Sequence, residues 1–162
     1  MVGVTVVAEV VGDGSGSVVQ YDWFGNDGGD GGFVELHAHI HELKSRGCAV
    51  MHDVDATKMG DDYVPSSLKY DRIVFNFPHA GFSKIESRQS QIRRNQNFVM
   101  SFLKNAKKMV KDDGEIHISR KSNGFFKEWK IELLGLFSSG LRLKEEVAFN
   151  LSDYPGYNTK YG

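Results

Sequence analysis

The residues best suited to chemistry stand at the end of one short apolar run. Ile73, Val74 and Phe75 lead directly into Asn76, Phe77, Pro78 and His79, inside the stretch Asp71 to Phe82. A buried strand that stops in a polar, turn-forming tetrad is how a sheet delivers side chains at its carboxyl end. Asn76 offers an amide oxygen that can orient a donor, and Pro78 shapes the turn. His79 carries an imidazole able to take a proton near neutrality. That His79 instead caps its own turn is an equally open reading. Two further polar tips follow apolar runs: Asp55-Ala56-Thr57 after Val54, and Arg120-Lys121 after Ile118.

These tips need elements to hold them. Val2 to Val11 is rich in β-branched residues and reads as a strand. Gly12 to Gly32 follows, and Gly12, Gly14 and Gly16 could form a phosphate-holding turn. No amphipathic helix comes after them, however, so the segment reads as a flexible string of Gly and Asp rather than a cofactor loop. Phe33, Leu36, Ile40 and Leu43 have helical spacing, and Gly47 supplies a stop. A strand is expected from Ala49 to Val54, and Asp61 to Lys69 reads as a polar connection. A long helix is expected from about Gln89 to Val110, with Ile92, Val99, Phe102, Leu103, Ala106 and Val110 as its core stripe. Lys111 to Gly114 should end it. Glu115 to Arg120 alternates as a strand, and Phe126, Trp129, Leu133, Leu136 and Phe137 form the stripe of a second helix stopping at Gly140. Leu141, Leu143, Val147 and Phe149 mark a last extended segment. This alternation implies an α/β protein with helices over a largely parallel sheet.

Composition excludes several classes. A chain of 162 residues fits one domain with a real core. No apolar run approaches the roughly 18 residues that would span a bilayer, and Met1 to Val11 does not read as a secretion signal, so a soluble intracellular protein is expected. Cys48 is the single cysteine and can neither close an internal disulfide nor complete a zinc set. His37 and His41 share a helical face, but no carboxylate or cysteine joins them, so no metal is expected. The net charge of −1 conceals an asymmetry: residues 1–62 carry eleven acids against three bases, and residues 84–130 carry twelve bases against five acids. The second stretch, with Arg88, Arg93, Arg94, Lys104, Lys107, Lys108, Arg120 and Lys121, is either a solvated helix face or a surface for nucleic-acid phosphates.

Four blocks in order carry a resemblance: Val54 to Met59, Tyr70 to Phe82, Gly114 to Ser119, and Asp153 to Tyr157. Together they resemble the 25S rRNA (uridine-N3) methyltransferase-like family, over about residues 33–162. The resemblance implies a Rossmann-like, three-layer class I methyltransferase fold with a mostly parallel sheet, here expected to be incomplete at both ends. Residues 1–32 form a divergent glycine-rich segment in this reading, without the family's recognisable first cofactor loop. The implied activity is S-adenosylmethionine-dependent methylation of uridine N3 in large-subunit ribosomal RNA, by a monomer working in the cytoplasm or nucleolus. Asp55 would accept a hydrogen bond from the cofactor's adenine amino group, and Ala56, Asn76, Gly12 and Gly14 would complete the cofactor site. Asn76, Pro78 and His79 resemble the Asn-Pro-Pro-Tyr tetrad of enzymes that methylate base nitrogens, with His79 as base toward N3. Phe77 and Phe82 would stack on an extruded uridine, and Arg93, Arg94 and Lys121 would contact phosphates. Two other functions remain open: a non-catalytic relative that keeps an RNA-facing surface, and, on the three glycines alone, a nicotinamide-dependent enzyme.

Overall fold

A computed structural model describes residues 6–9, 18–19, 40–51, 54–62, 68–122, 124–148, 150 and 152. The expected helix from Phe33 is seen over residues 40–45 (α1), its earlier part lying outside the described residues. It ends as the glycine predicts. Gly47 has φ +83, and the Cys48 and Gly47 amides donate to the Leu43 and Lys44 carbonyls, the paired closure that a left-handed residue permits.

Strand β3 (Tyr70–Asn76) alternates buried and open positions, and Ile73 and Phe75 are fully buried. Helix α3 (Arg88–Met109) covers that face with Ile92, Val99, Phe102, Leu103 and Ala106, all buried as their spacing predicts. The Phe75 and Phe102 rings meet at 4.3 Å between centroids. Removing either ring would open a core cavity at about 3–5 kcal/mol. The helix starts on Ser87, whose hydroxyl accepts the Ser90 amide, and runs without a loop into β4 (Val110–Ser119). Residues 111–114, expected as a helix-ending turn, are the first part of this strand. They hold the irregularity in its pairing with β3. A Cβ on Gly114 would lie 2.8 Å from the Asp71 carbonyl oxygen and 2.7 Å from Val110, so the close approach there requires glycine.

The sheet order is β2-β1-β3-β4, with β1 at Val6–Glu9 and β2 at Val18–Val19. Only β3 and β4 are parallel, joined by the α3 crossover; β1 lies antiparallel to β3, and β2 antiparallel to β1. The expected mostly parallel sheet is therefore a mixed one among the described residues. A parallel neighbour needs a long crossover, which α3 supplies for β4. The strand expected from Ala49 to Val54 is not formed at residues 48–51, 54 and 55, and His52 and Asp53 lie outside the described residues. Both edges of β3 are already taken by β1 and β4, so that run has no ladder to join beside it.

The second predicted helix is two: α4 (Gly124–Lys127) and α5 (Ile131–Ser139). Between them Lys130 takes φ +50, and Trp129 turns fully into the core. The break rotates the stripe. Ile131, Leu134 and Leu141 pack on the core, while Leu133, Leu136 and Phe137 are exposed. Residues 140–148 carry no regular structure where an extended segment was expected, and Phe149 is not described. A one-turn helix, α2 (Met59–Asp62), with Met59 buried against the core, runs into the start of the stretch from Asp61 read as a polar connection.

Candidate functional site

At the end of β3 the backbone turns sharply. Phe77 adopts φ +50, a left-handed conformation that costs a side-chain-bearing residue about 1 kcal/mol. It is held there by its amide, which donates to the Ser119 carbonyl at 3.0 Å. Ser119 also donates its hydroxyl to Asn76 Oδ1 at 2.9 Å, so the ends of β3 and β4 are tied side chain to side chain. Pro78 is fully buried behind the turn.

His79 follows with its ring among aromatics: Phe82 at 4.1 Å, Trp129 at 5.9 Å and Phe126 at 6.0 Å between centroids. Nδ1 accepts the Gly81 amide at 2.8 Å, which leaves the proton of the neutral ring on Nε2. Nε2 is buried and has no hydrogen-bond partner among the described residues. Burial first, and then the positive charges of Arg94 and Lys121, push its pKa down to about 4. The ring is therefore neutral at pH 7 and a weak proton acceptor.

The loop beyond is clamped by α3. Asn95, fully buried, accepts the Ala80 amide at 2.8 Å and donates to the Gln91 carbonyl at 2.8 Å. The Arg94 guanidinium donates to the carbonyls of Ala80 at 3.1 Å and Gly81 at 2.8 Å, with its Nε 3.4 Å from the Glu86 carboxylate. This residue, read from sequence as a phosphate contact, spends its fork on the loop backbone. Arg93 and Lys121 are exposed. Phe82, 73% exposed, lies over His79.

Asp55 sits elsewhere. Its Oδ1 accepts the Thr57 amide at 2.9 Å and hydroxyl at 2.7 Å, a self-closing turn around buried Ala56. That turn is held by Asn105, which donates to the Thr57 carbonyl and accepts the Gly60 amide at 3.2 Å. Asn95 and Asn105 lie ten positions apart on α3, or about 15 Å along the axis. The structure thus brings together Asn76, Phe77, Pro78, His79, Phe82 and Arg94, with Lys121 close enough to act on the imidazole. It anchors Asp55 and Ala56 at the other end of α3, and Gly12 and Gly14 lie outside the described residues. Beside the Asp55 end is an open cleft of about 500 Å³, lined by Thr57, Lys104, Lys107, Lys108, Ser138 and Ser139 among others.

Sequence reading missed Asn95 and Ser119, and took Phe126 and Trp129 for core stripe alone. The signal for Asn95 was an amide at core spacing between Ile92 and Val99, where a buried polar group must have a partner.

Among the described residues no helix is long and apolar enough to cross a membrane, and no group of three or more His, Cys, Asp or Glu gathers to hold a metal. No solved structure matches the chain significantly. An uncharacterized protein of Arabidopsis thaliana is 46% identical over 132 residues, covering 80% of this chain and 63% of its own length. The heavy metal-associated isoprenylated plant protein 41 of Arabidopsis thaliana is 36% identical over 130 residues, covering 80% of this chain. The ferredoxin-fold anticodon-binding domain-containing protein 1 homolog of Mus musculus is 22% identical over 130 residues. This chain spans 63%, 25% and 20% of these three relatives. One family model matches residues 32–161, so the chain belongs to the family described as rRNA (uridine-N3-)-methyltransferase BTM5-like.

Proposed function

We propose that the protein acts on a uridine of ribosomal RNA, held at the Asn76–His79 tip, and that the reaction is methylation at N3. The observation that carries this is the tip itself: a strained turn locked to β4 through Ser119, clamped by Arg94 and Asn95, and walled by aromatic rings. Such a turn holds an amide oxygen and a backbone carbonyl in fixed positions, which is what orienting a base nitrogen requires. Asn76 Oδ1 keeps a lone pair beyond the one Ser119 uses. Phe77 and Phe82 supply stacking surface for an extruded base, and exposed Arg93 and Lys121, with the Lys104 and Lys107 cleft, supply charge for phosphates. Ribosomal RNA as substrate puts this work in the nucleolus or cytoplasm.

The family implies S-adenosylmethionine as the methyl donor. The described residues do not fit it in one place: the Asp55 carboxylate closes its own turn, about 15 Å along α3 from the loop clamp. The same geometry favours a second reading, a non-catalytic relative that keeps the base-binding tip and the basic surface. The nicotinamide alternative rests on glycines outside the described residues and gains nothing here.

One assay separates them. Transfer of labelled methyl from S-adenosylmethionine to uridine-containing ribosomal RNA, with calorimetric titration of the donor alone, should show both binding and transfer. RNA binding without donor binding would establish the second reading, and loss of both would end the proposal.

A further inference from the structure

The aromatic group behind the tip contains two buried donors with nothing to donate to. Among the described residues His79 Nε2 and Trp129 Nε1 are both buried without a hydrogen-bond partner, and the two rings lie 5.9 Å apart. Trp129 is fully buried. Buried N–H groups are nearly always paired, since an unpaired one forfeits its hydration for no return. Two such donors on rings 5.9 Å apart in one cluster are suited to a common acceptor. The rings around them favour a flat one. Phe126 lies 4.9 Å from Trp129, Phe125 5.9 Å from Trp129, and Phe82 4.1 Å from His79.

Phe82 shows where that acceptor enters. Its ring covers His79 yet is mostly exposed, and it follows Gly81, whose φ is +86 and where an added Cβ would touch nothing. The backbone up to Gly81 is fixed by Arg94 and Asn95. Phe82 is therefore the ring of this cluster that a base arriving from solvent meets first.

We propose that His79 Nε2–H and Trp129 Nε1–H form a carbonyl-reading subsite that selects a uracil base over cytosine. This deepens the proposed function and rests on its placement of the base at the tip. Uracil carries acceptor oxygens on both sides of N3, whereas cytosine presents an amino group at position 4, which would set donor against donor. A site built to hydrogen-bond one group rejects the analogue lacking it because its own polar atoms are then left unpaired. Donors on the oxygens flanking N3 also favour the base with its negative charge spread onto them. His79 then serves uridine as a neutral donor.

The test compares binding of single-stranded oligouridylate and oligocytidylate to the full chain and to His79→Phe and Trp129→Phe. The wild-type protein is expected to prefer oligouridylate at least tenfold, and each variant to bring the two within about twofold. His79→Phe keeps a flat ring but also loses the Nδ1 that accepts the Gly81 amide, so a retained cooperative thermal transition certifies its fold, and Trp129→Phe, which removes only an indole N–H, leaves that turn hydrogen bond in place. The Trp129 indole N–H resonance should move with oligouridylate and stay in place with oligocytidylate. A preference that survives in His79→Phe, with a stationary indole signal, overturns the subsite and leaves uridine binding at the tip intact. Failure of the wild-type protein to bind either oligonucleotide overturns both.

Discussion

The two ends of α3 are held by the same device in different surroundings. At its amino-terminal half Asn95 grips the loop after the Asn76–His79 tip; at its carboxyl-terminal half Asn105 grips the turn after Asp55. Each is a buried amide that satisfies backbone groups a hydrophobic residue could not. The surroundings diverge. The first end is walled by aromatic rings, and the burial that, ahead of the Arg94 and Lys121 charges, lowers the His79 pKa also shields two donors unpaired among the described residues. The second is open, basic and rich in hydroxyls. One end suits recognition of a base and the other suits sequence-independent attraction to phosphates. The helix between them acts as a spacer.

Removing the two amides separates structure from recognition. Asn95→Ala and Asn105→Ala should each lower unfolding free energy by about 2 kcal/mol, since each leaves a buried backbone amide unpaired; urea titration measures this. Only Asn95→Ala should also reduce oligouridylate affinity, by tenfold or more. Equal losses in both variants would mean that the ends are not functionally distinct.

Acid probes the tip alone. The folded His79 pKa of about 4 lies below the ordinary 6.5, so the unfolded chain takes up the proton first as pH falls. Stability is full above about 6.5, declines as pH drops through that window, and levels off below about 4. The decline should amount to about 3 kcal/mol and be absent from His79→Phe. The Glu115 carboxyl, held down from 4.5 to about 2 chiefly by its hydrogen bond from Lys144 and then by that from His117, responds between those two values, so its range meets that of His79 only near pH 4.

The basic end is read by salt. Replacing Lys104 and Lys107 together by Ala should reduce the slope of log affinity against log salt concentration by about 1.4 for single-stranded RNA, with the preference for uridine unchanged. Arg94→Lys is a smaller test: a single ammonium cannot reproduce the fork on the Ala80 and Gly81 carbonyls, and a loss of about 1 kcal/mol is expected. At the bottom of the scale, Arg88→Ala breaks an exposed pair with Glu128 and should leave the melting temperature unchanged.

Much of this was legible in the sequence because it is local. The alternation of Tyr70–Asn76, the stripe from Ile92 to Ala106 and the stops at Gly47 and Gly140 are consequences of period and backbone freedom. The four ordered blocks likewise indicated the family. The cluster of Asn76 to Phe82 was visible too, because contiguous residues after a strand stay together in any fold. Asp55 was not placed correctly beside it. Two tips that each follow an apolar run look alike in one dimension, and nothing local says which end of which helix receives them.

What the sequence by itself determined, then, was the strand at Tyr70–Asn76, the long helix with its amphipathic face, the strand character of residues 115–119 and the family. Only the tertiary structure decided that the amino-terminal strand runs antiparallel to β3, that the second helix breaks at Lys130 to bury Trp129 and expose Phe137, and that His79 faces rings instead of water. The physical reason is the same in each case. Periodicity fixes which side chains share a face, whereas direction, burial and protonation depend on what the rest of the chain sets against that face.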